Sequence, residues 1–218
     1  MVAAAICAAA AARGERVAAL KPVITGLEDE QGEWPPDHEL LAAVTSADQS
    51  AEEVAPYRFG PGVSPHLAAE LAGSAIDPTA VVAAADRASR RSDALVVEGA
   101  GGLLVPVAPG WLVRDLATSL GLPVVIAARP GLGTINHTLL TVEAARSARL
   151  RIAAIVLTPW PERPDPVERS NLETVAELAG VPVATLPHTA PTREALAHAG
   201  VRLPLERWLA HTSLAEAA

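Results

Sequence analysis

The feature that most constrains the fold is a repeated alternation of short apolar segments with longer segments of helical periodicity. Several of the short segments are apolar at every position, as parallel strands are when helices cover both faces of their sheet. Strands of this kind are predicted over residues 17–20, 94–97, 123–128, 152–157 and 182–186. The alternation predicts an α/β fold with a doubly wound, mainly parallel sheet, whose ligands bind beyond the carboxyl ends of the strands.

The segments with helical periodicity complete this pattern. Helices are predicted over residues 2–13, 37–45, 64–72, 78–91, 134–147, 166–179 and 191–199. The chain has 218 residues and no recognisable linker, so we expect a single α/β domain over residues 1–218.

Charge and composition argue against several classes of partner. The formal net charge is −8, and the basic residues form no cluster beyond Arg90 and Arg91, so we expect no nucleic acid partner. The longest apolar run, residues 1–12, is shorter than the roughly 18 residues of a membrane span, so we expect no membrane partner. Cys7 is the single cysteine and cannot form an internal disulfide or a zinc cluster, and we therefore expect the protein in the cytoplasm.

Lys21 is the only lysine among 17 basic residues. In a chain that uses arginine elsewhere, a lone lysine indicates a role for a compact point charge, such as contact with a phosphoryl or carboxylate oxygen; chance survival is the alternative. Lys21 opens the loop KPVITG, which follows the first predicted strand. In that loop Thr25 offers a hydroxyl, and Gly26 allows the close approach of a ligand or of another backbone.

A second loop, VVEGAGG over residues 96–102, places Glu98 at the end of an apolar strand. A carboxylate in such a position is costly unless it is paired or bound to a cation, so Glu98 is a candidate magnesium ligand. The alternative is a glycine turn whose acid faces solvent. The loop does not match the dinucleotide motif G-x-G-x-x-G, because Leu104 occupies the position of the third glycine.

A third loop, RPGLGTINHT over residues 129–138, opens a predicted helix at Thr134. The amide groups and the dipole of a helix start attract anions such as a ligand carboxylate. Thr134 could equally be only an N-cap, and Asn136 could be structural. Asp37, which precedes the helical segment ELLAAV, has the same N-cap alternative.

Taken together and in this order, KPVITG, Asp37, GVSPH (62–66), VVEGAGGLLVP (96–106) and LGTINHT (132–138) resemble the dethiobiotin synthetase family. These ATP-dependent ligases close the ureido ring of dethiobiotin in biotin synthesis. The resemblance extends from residue 1 to about residue 190. It implies a P-loop NTPase type of fold and a homodimer with active sites at the subunit interface.

The resemblance also implies roles for individual residues. Asp37 and Glu98 would hold Mg²⁺ beside ATP, Gly99 and Gly101 would contact the nucleotide, and Lys21 would stabilise charge near the γ-phosphate.

The substrate implied by the resemblance is 7,8-diaminopelargonate, with its amines near Thr25. Its carboxylate would bind at Gly133, Thr134 and Asn136 of the partner subunit. CO2 would form a carbamate on one amine, ATP would phosphorylate the carbamate, and the second amine would displace phosphate.

The sequence departs from the family pattern in two places. The family begins with a strand and the phosphate-binding motif G-x-x-x-x-G-K-[ST], and we expect about fifteen such residues to be absent here. Either the start codon was placed too late or the chain is a truncated, inactive product, and the sheet should show an empty slot flanked by strands 17–20 and 94–97. Thr158 stands where the family's adenine-reading asparagine is expected, which leaves the choice of nucleotide base open.

Two other classes of protein remain as alternatives. A different P-loop amidoligase would need a cysteine nucleophile for glutamine hydrolysis, whereas Cys7 lies in an alanine-rich segment. A partition-type ATPase that binds membranes usually ends in a basic amphipathic helix, whereas the C-terminal segment RWLAHTSLAEAA is only mildly charged.

Overall fold

The computed structural model of the chain describes residues 1–30 and 32–209 and shows an α/β fold. The elements follow one another as α1 (Val2–Ala12), β1 (Val17–Leu20), β2 (Val23–Ile24), α2 (Asp37–Val44), α3 (Ala51–Val54), β3 (Tyr57–Arg58), α4 (Pro65–Leu71), α5 (Pro78–Ser89), β4 (Ala94–Val97), β5 (Pro106–Ala108), β6 (Trp111–Leu112), α6 (Val113–Leu120), β7 (Val124–Ala128), α7 (Thr134–Ser147), β8 (Ile152–Trp160), α8 (Pro166–Ala179), β9 (Val183–Pro187), α9 (Arg193–Gly200) and α10 (Leu205–Trp208).

Strand pairing is mainly parallel, as the sequence predicts. β1 pairs with β4, β2 pairs with β3, and β7, β8 and β9 form a three-stranded sheet, all in parallel orientation. β5 and β6 form a short antiparallel pair. One hydrophobic cluster packs α1, α2 and α9 against the β1–β4 pair and against β8 and β9 of the three-stranded sheet. Separate clusters cover the other sides of β4 and β8.

Most predicted elements have nearly the predicted bounds, and those of β1, β4, α7 and α8 agree completely. Helix α6 was not predicted, because its sequence has no capping residue ahead of its first turn. Its cap comes from within the helix: the Asp115 carboxylate accepts a hydrogen bond of 2.8 Å from the Leu112 amide. The two- and three-residue strands are too short to show a period of two.

The alanine-rich helix α1 is buried along most of its length and packs closely against α9. A Cβ atom at Gly200 would overlap the carbonyl oxygen of Ala5 and would lie 2.8 Å from the Cβ of Ala9. Small side chains on both helices therefore permit this short separation.

An open slot lies between β4 and β7. Within residues 1–30 and 32–209, β4 pairs only with β1, and its second edge faces a cavity of about 820 Å³ whose lining includes Val96, Ile126 and Ile6. The predicted neighbourhood of strands 17–20 and 94–97 is confirmed. The predicted position of the slot needs correction, because β1 and β4 bond directly to each other and the slot lies on the opposite edge of β4.

None of the helices in the described residues is long and apolar enough to cross a membrane. The C-terminal segment weighed above as a membrane-binding helix extends beyond residue 209, and that part lies outside the described residues.

Candidate functional site

The loops after β1 and β4 leave the sheet side by side. Leu20 lies opposite Val97 in the parallel register, and the Glu98 amide donates a hydrogen bond of 2.8 Å to the Leu20 carbonyl oxygen. Lys21 and Glu98, the residues that follow β1 and β4, therefore meet at the same edge of the sheet. The Lys21 amide also donates to the Val54 carbonyl oxygen at 2.8 Å, which fixes the start of the loop.

The Lys21 ammonium lies between two carboxylates. Its Nζ donates to Oδ2 of Asp37 and to Oε1 of Glu98, each at 2.6 Å. The Lys21 side chain is only 9% exposed, whereas those of Asp37 and Glu98 are 46% and 26% exposed. One buried positive charge thus faces two partly exposed negative charges, which stabilise it where water cannot.

This arrangement changes the pKa of Lys21 and of Asp37. Burial lowers the pKa of Lys21, but the neighbouring carboxylates of Glu98 and Asp37 outweigh it and raise that pKa above its ordinary value. Burial raises the pKa of Asp37, but the Lys21 ammonium outweighs it and lowers that pKa below its ordinary value. Lys21 is therefore fully charged at neutral pH.

Asp37 and Glu98 lie together, and both of their carboxylates contact the ammonium of Lys21. Their role as Mg²⁺ ligands stays a prediction. Asp37 is the first residue of α2 and makes no capping bond, so its N-cap alternative is not what the structure shows. Within residues 1–30 and 32–209, no group of three or more acidic, histidine or cysteine side chains could hold a metal. The two carboxylates of Asp37 and Glu98 would suit Mg²⁺, which is commonly held by one or two carboxylates together with substrate phosphates.

Gly99 and Gly101 follow Glu98 and line the same cavity as Lys21. A Cβ at Gly99 would lie 2.7 Å from Cγ1 of Val113 at the start of α6, and Gly101 has a φ of +73°. Both glycines are therefore required by close packing or by backbone conformation, as well as being near the charged cluster.

Thr25 directly follows β2. The loop that it opens forms backbone hydrogen bonds with the residues that follow β3. The Gly26 amide donates to the Pro61 carbonyl oxygen at 3.1 Å, and the Glu28 amide donates to the Gly60 carbonyl oxygen at 3.0 Å. These bonds hold the Thr25 loop against residues 60–61, which lie between β3 and the segment GVSPH.

The third predicted segment lies at the start of α7 and borders a different cavity, of about 460 Å³. Gly133 is the N-cap residue with a φ of +91°, and Asn136 is exposed. Thr134 is the first helical residue rather than the N-cap. Its hydroxyl lies 3.3 Å from that of Thr138, and its amide donates to the Gly131 carbonyl oxygen at 3.2 Å. The polar groups of Thr134 are thus used inside the protein.

Thr158 lies in β8, close to its carboxyl end. Its hydroxyl oxygen is buried and has no hydrogen-bond partner in the part of the chain that the structure describes. A buried polar group normally has a partner, and Thr158 and His38 are the two exceptions found among the side chains of the described residues.

Sequence reasoning missed Asn171, which holds the loop before α7. Its Nδ2 donates to the carbonyl oxygens of Pro130 at 2.8 Å and Gly131 at 3.1 Å. Asn171 lies on the buried face of α8 with Val175 and Ala179, at intervals of four residues. A polar residue in this otherwise apolar stripe was the signal that could have revealed it.

The chain is similar to known proteins over most of its length. A family model described as an AAA domain matches residues 1–195, which places the chain in a P-loop NTPase type of family. The chain is 42% identical to the ATP-dependent dethiobiotin synthetase BioD of Anaeromyxobacter dehalogenans over 187 residues, which cover 85% of this chain and 82% of the relative.

Other relatives carry the same name. The chain is 37% identical to BioD of Haloferax mediterranei, with 90% of this chain and 82% of the relative covered. It is 35% identical to BioD of Bacillus subtilis, with 77% of this chain and 71% of the relative covered. The chain belongs to the dethiobiotin synthetase family, as its motifs indicate, and this assignment favours neither the partition-type ATPase nor another amidoligase.

Proposed function

We propose that this protein is a dethiobiotin synthetase that carboxylates and cyclises 7,8-diaminopelargonate with CO2 and ATP. The observation that carries the proposal is the Lys21 ammonium, buried between Asp37 and Glu98 at the carboxyl edge of parallel strands. Membership of the family supports the same conclusion. A fixed positive charge at this edge suits phosphoryl transfer, in which charge stabilisation supplies most of the catalysis.

The proposed reaction has three steps. One amine of the substrate attacks CO2 and loses a proton, which gives a carbamate. A carbamate oxygen then attacks the γ-phosphorus of ATP, so that ADP leaves and a carbamic–phosphoric anhydride forms. The second amine attacks the carbonyl carbon of that anhydride, phosphate leaves, and loss of a proton completes the five-membered ureido ring.

Lys21 would act at the middle step. The ammonium contacts the carbamate and the transferring phosphoryl group and stabilises the negative charge that they share. Without bound ligands, Glu98 and Asp37 raise the pKa of Lys21, which favours the charged ammonium form. Mg²⁺ bound to Asp37 and Glu98 would supply further positive charge against the nucleotide phosphates.

The nucleotide would lie along Gly99, Gly101 and Thr158, in addition to the two carboxylates. Thr158 offers one hydroxyl, whereas an amide side chain offers both a donor and an acceptor to a base. We therefore expect weaker discrimination among nucleotide bases than an asparagine at this position would give.

The substrate would span two subunits of a homodimer. Its amines would lie near Thr25, and its carboxylate would bind Gly133 and Asn136 of the partner subunit, beside Thr134, whose own polar groups bond within the chain. The segment at Gly133 and the Lys21 cluster line separate cavities of one chain, which supports a site assembled from two. A site closed by a second subunit would also shield the anhydride from water. We expect the enzyme in the cytoplasm, without nucleic acid or membrane partners.

Isotopic oxygen tests the proposed chemistry. The enzyme is supplied with ATP, diaminopelargonate and freshly dissolved C¹⁸O2, and the products are measured by mass spectrometry before the label exchanges with water. The mechanism places one labelled oxygen in each phosphate released and one in the ring carbonyl of dethiobiotin. ATP hydrolysis without labelled phosphate, or no dethiobiotin at all, would overturn the proposal.

A further inference from the structure

The side-chain amide of Asn171 holds two successive peptide groups of the loop between β7 and α7. Asn171 is 7% exposed, and its Nδ2 bonds to the carbonyl oxygens of Pro130 and Gly131 at 2.8 and 3.1 Å. The two partners lie 40 and 41 residues away in sequence. Loop and helix α8 are thus joined by one buried polar group.

These bonds fix the direction of the neighbouring amides. In a planar trans peptide the N–H points opposite to the C=O of the same peptide group. Since the carbonyls of Pro130 and Gly131 point to Asn171, the amides of Gly131 and Leu132 point away from α8. Without these bonds the peptide group between Pro130 and Gly131 could rotate more freely, because Gly131 has no Cβ to restrict it.

The direction matters for binding an anion. A loop with its carbonyl oxygens held on the α8 side presents amide donors on the opposite side. If the peptide between Pro130 and Gly131 turned over, a carbonyl oxygen would take the place of an amide and would repel a carboxylate. Asn171 prevents that rotation, since turning the peptide would break a buried hydrogen bond.

We propose that Asn171 is a positioning residue for recognition of the substrate carboxylate, acting through the peptide orientation of residues 130–132. This inference rests on the proposed function, in which the neighbouring residues Gly133 and Asn136 bind that carboxylate. Both hydrogen bonds of the Asn171 Nδ2 go to the loop carbonyl oxygens, so its proposed action is through the loop. Its neighbours on the buried stripe of α8 are apolar, and a leucine would suit helix packing equally well, so the amide is needed by the loop.

The test compares two substrates in Asn171→Leu, which removes the donor at similar volume. The KM of diaminopelargonate is measured together with the KM of its methyl ester, which lacks the negative charge, and the KM of ATP. We expect the wild-type enzyme to prefer the acid, and the variant to lose most of that preference through a rise of about tenfold in the KM of the acid. The KM of ATP should stay within about twofold.

Val175→Ala provides the matched control. Val175 is fully buried on the same stripe of α8, and its truncation weakens the packing of the helix without removing a bond to the loop. The ratio of ester KM to acid KM should be unchanged in this variant. If Asn171→Leu does not fold, Asn171→Asp replaces it, because a carboxylate of the same shape cannot donate to the two carbonyls.

The outcomes separate the inference from the proposed function. An unchanged KM ratio in the Asn171 variant, with ring closure intact, would overturn the positioning role alone. Equal KM values for acid and ester in the wild-type enzyme would overturn the carboxylate subsite on which the inference rests. Absence of dethiobiotin formation by the wild-type enzyme would overturn the proposed function itself.

Discussion

At the scale of the residue, the main feature is the contact of the buried Lys21 ammonium with two carboxylates. The ammonium is almost completely buried, and each of its two carboxylate partners is 2.6 Å away. A buried charge is tolerated only with such partners. Removal of Asp37 or Glu98 therefore leaves part of the free-energy cost of burying the Lys21 ammonium without compensation. The cluster is thus a stabilising element as well as the proposed catalytic centre.

The pH dependence of stability should reveal the Lys21–Asp37 pair. The pKa of Asp37 is lowered in the folded state, so the pair stabilises the fold above the ordinary carboxyl pKa of about 3.9 and loses that effect as the pH falls through the folded pKa. Asp37→Asn should therefore lower the melting temperature at pH 7, and the difference from wild type should vanish in strong acid. The exposed Asp48→Asn serves as the control, and an equal loss at all pH values would contradict the prediction.

The residue scale also shows what sequence could predict about the site. Lys21 and Glu98 were placed together because each follows a strand of a parallel sheet, and topology alone brings such positions to one edge. The direct bond between Lys21 and Asp37 was not predicted, since it depends on how α2 packs after a loop of 12 residues, from 25 to 36. The position of Asn171 in the apolar stripe of α8 indicates that its side chain is buried, but it does not identify Pro130 and Gly131 as its partners.

At the scale of the element, helix bounds could be predicted where their signals are local. The bounds of α7 and α8 could be predicted because their periodicity and their glycine boundaries are local. Helix α6 could not, because its cap lies inside its own first turn. The close packing of α1 on α9 was equally invisible, since an alanine run gives no indication of what it touches.

Gly200→Ala should measure that packing. The added methyl group would overlap the Ala5 carbonyl oxygen and approach the Ala9 Cβ, so the two helices must move apart. We expect a loss of about 1–3 kcal/mol in the free energy of unfolding, measured in urea.

The control for this substitution is Gly32→Ala, where a Cβ would have no atom within 4 Å. The control should stay within about 0.5 kcal/mol of wild type. Equal unfolding free energies for Gly200→Ala and wild type would show that α1 and α9 are not in close contact.

At the scale of the whole molecule, the proposed site needs two subunits, and mixing experiments can test this. Lys21→Ala and Asn136→Ala would inactivate the same site from opposite subunits. In a mixed dimer both lesions fall in one site and the other site is intact. After random exchange of equal amounts, half of the dimers are mixed, and about a quarter of wild-type ring closure should return.

Subunit exchange must be shown independently, for example with differently tagged variants. Exchange without recovery of activity would contradict a shared site and would place Lys21 and Asn136 in the site of one subunit. Full activity of the Asn136→Ala variant alone would assign that residue a structural role.

The rate of dethiobiotin formation by Lys21→Arg tests directly whether the Lys21 ammonium is the catalytic charge. The guanidinium keeps the positive charge but is larger and planar, so it cannot occupy the position of one ammonium between Asp37 and Glu98. We predict a loss of about 10²- to 10³-fold in kcat, with the fold retained by circular dichroism. A folded Lys21→Arg variant within a few-fold of wild-type activity would contradict the assignment of Lys21 as the catalytic charge.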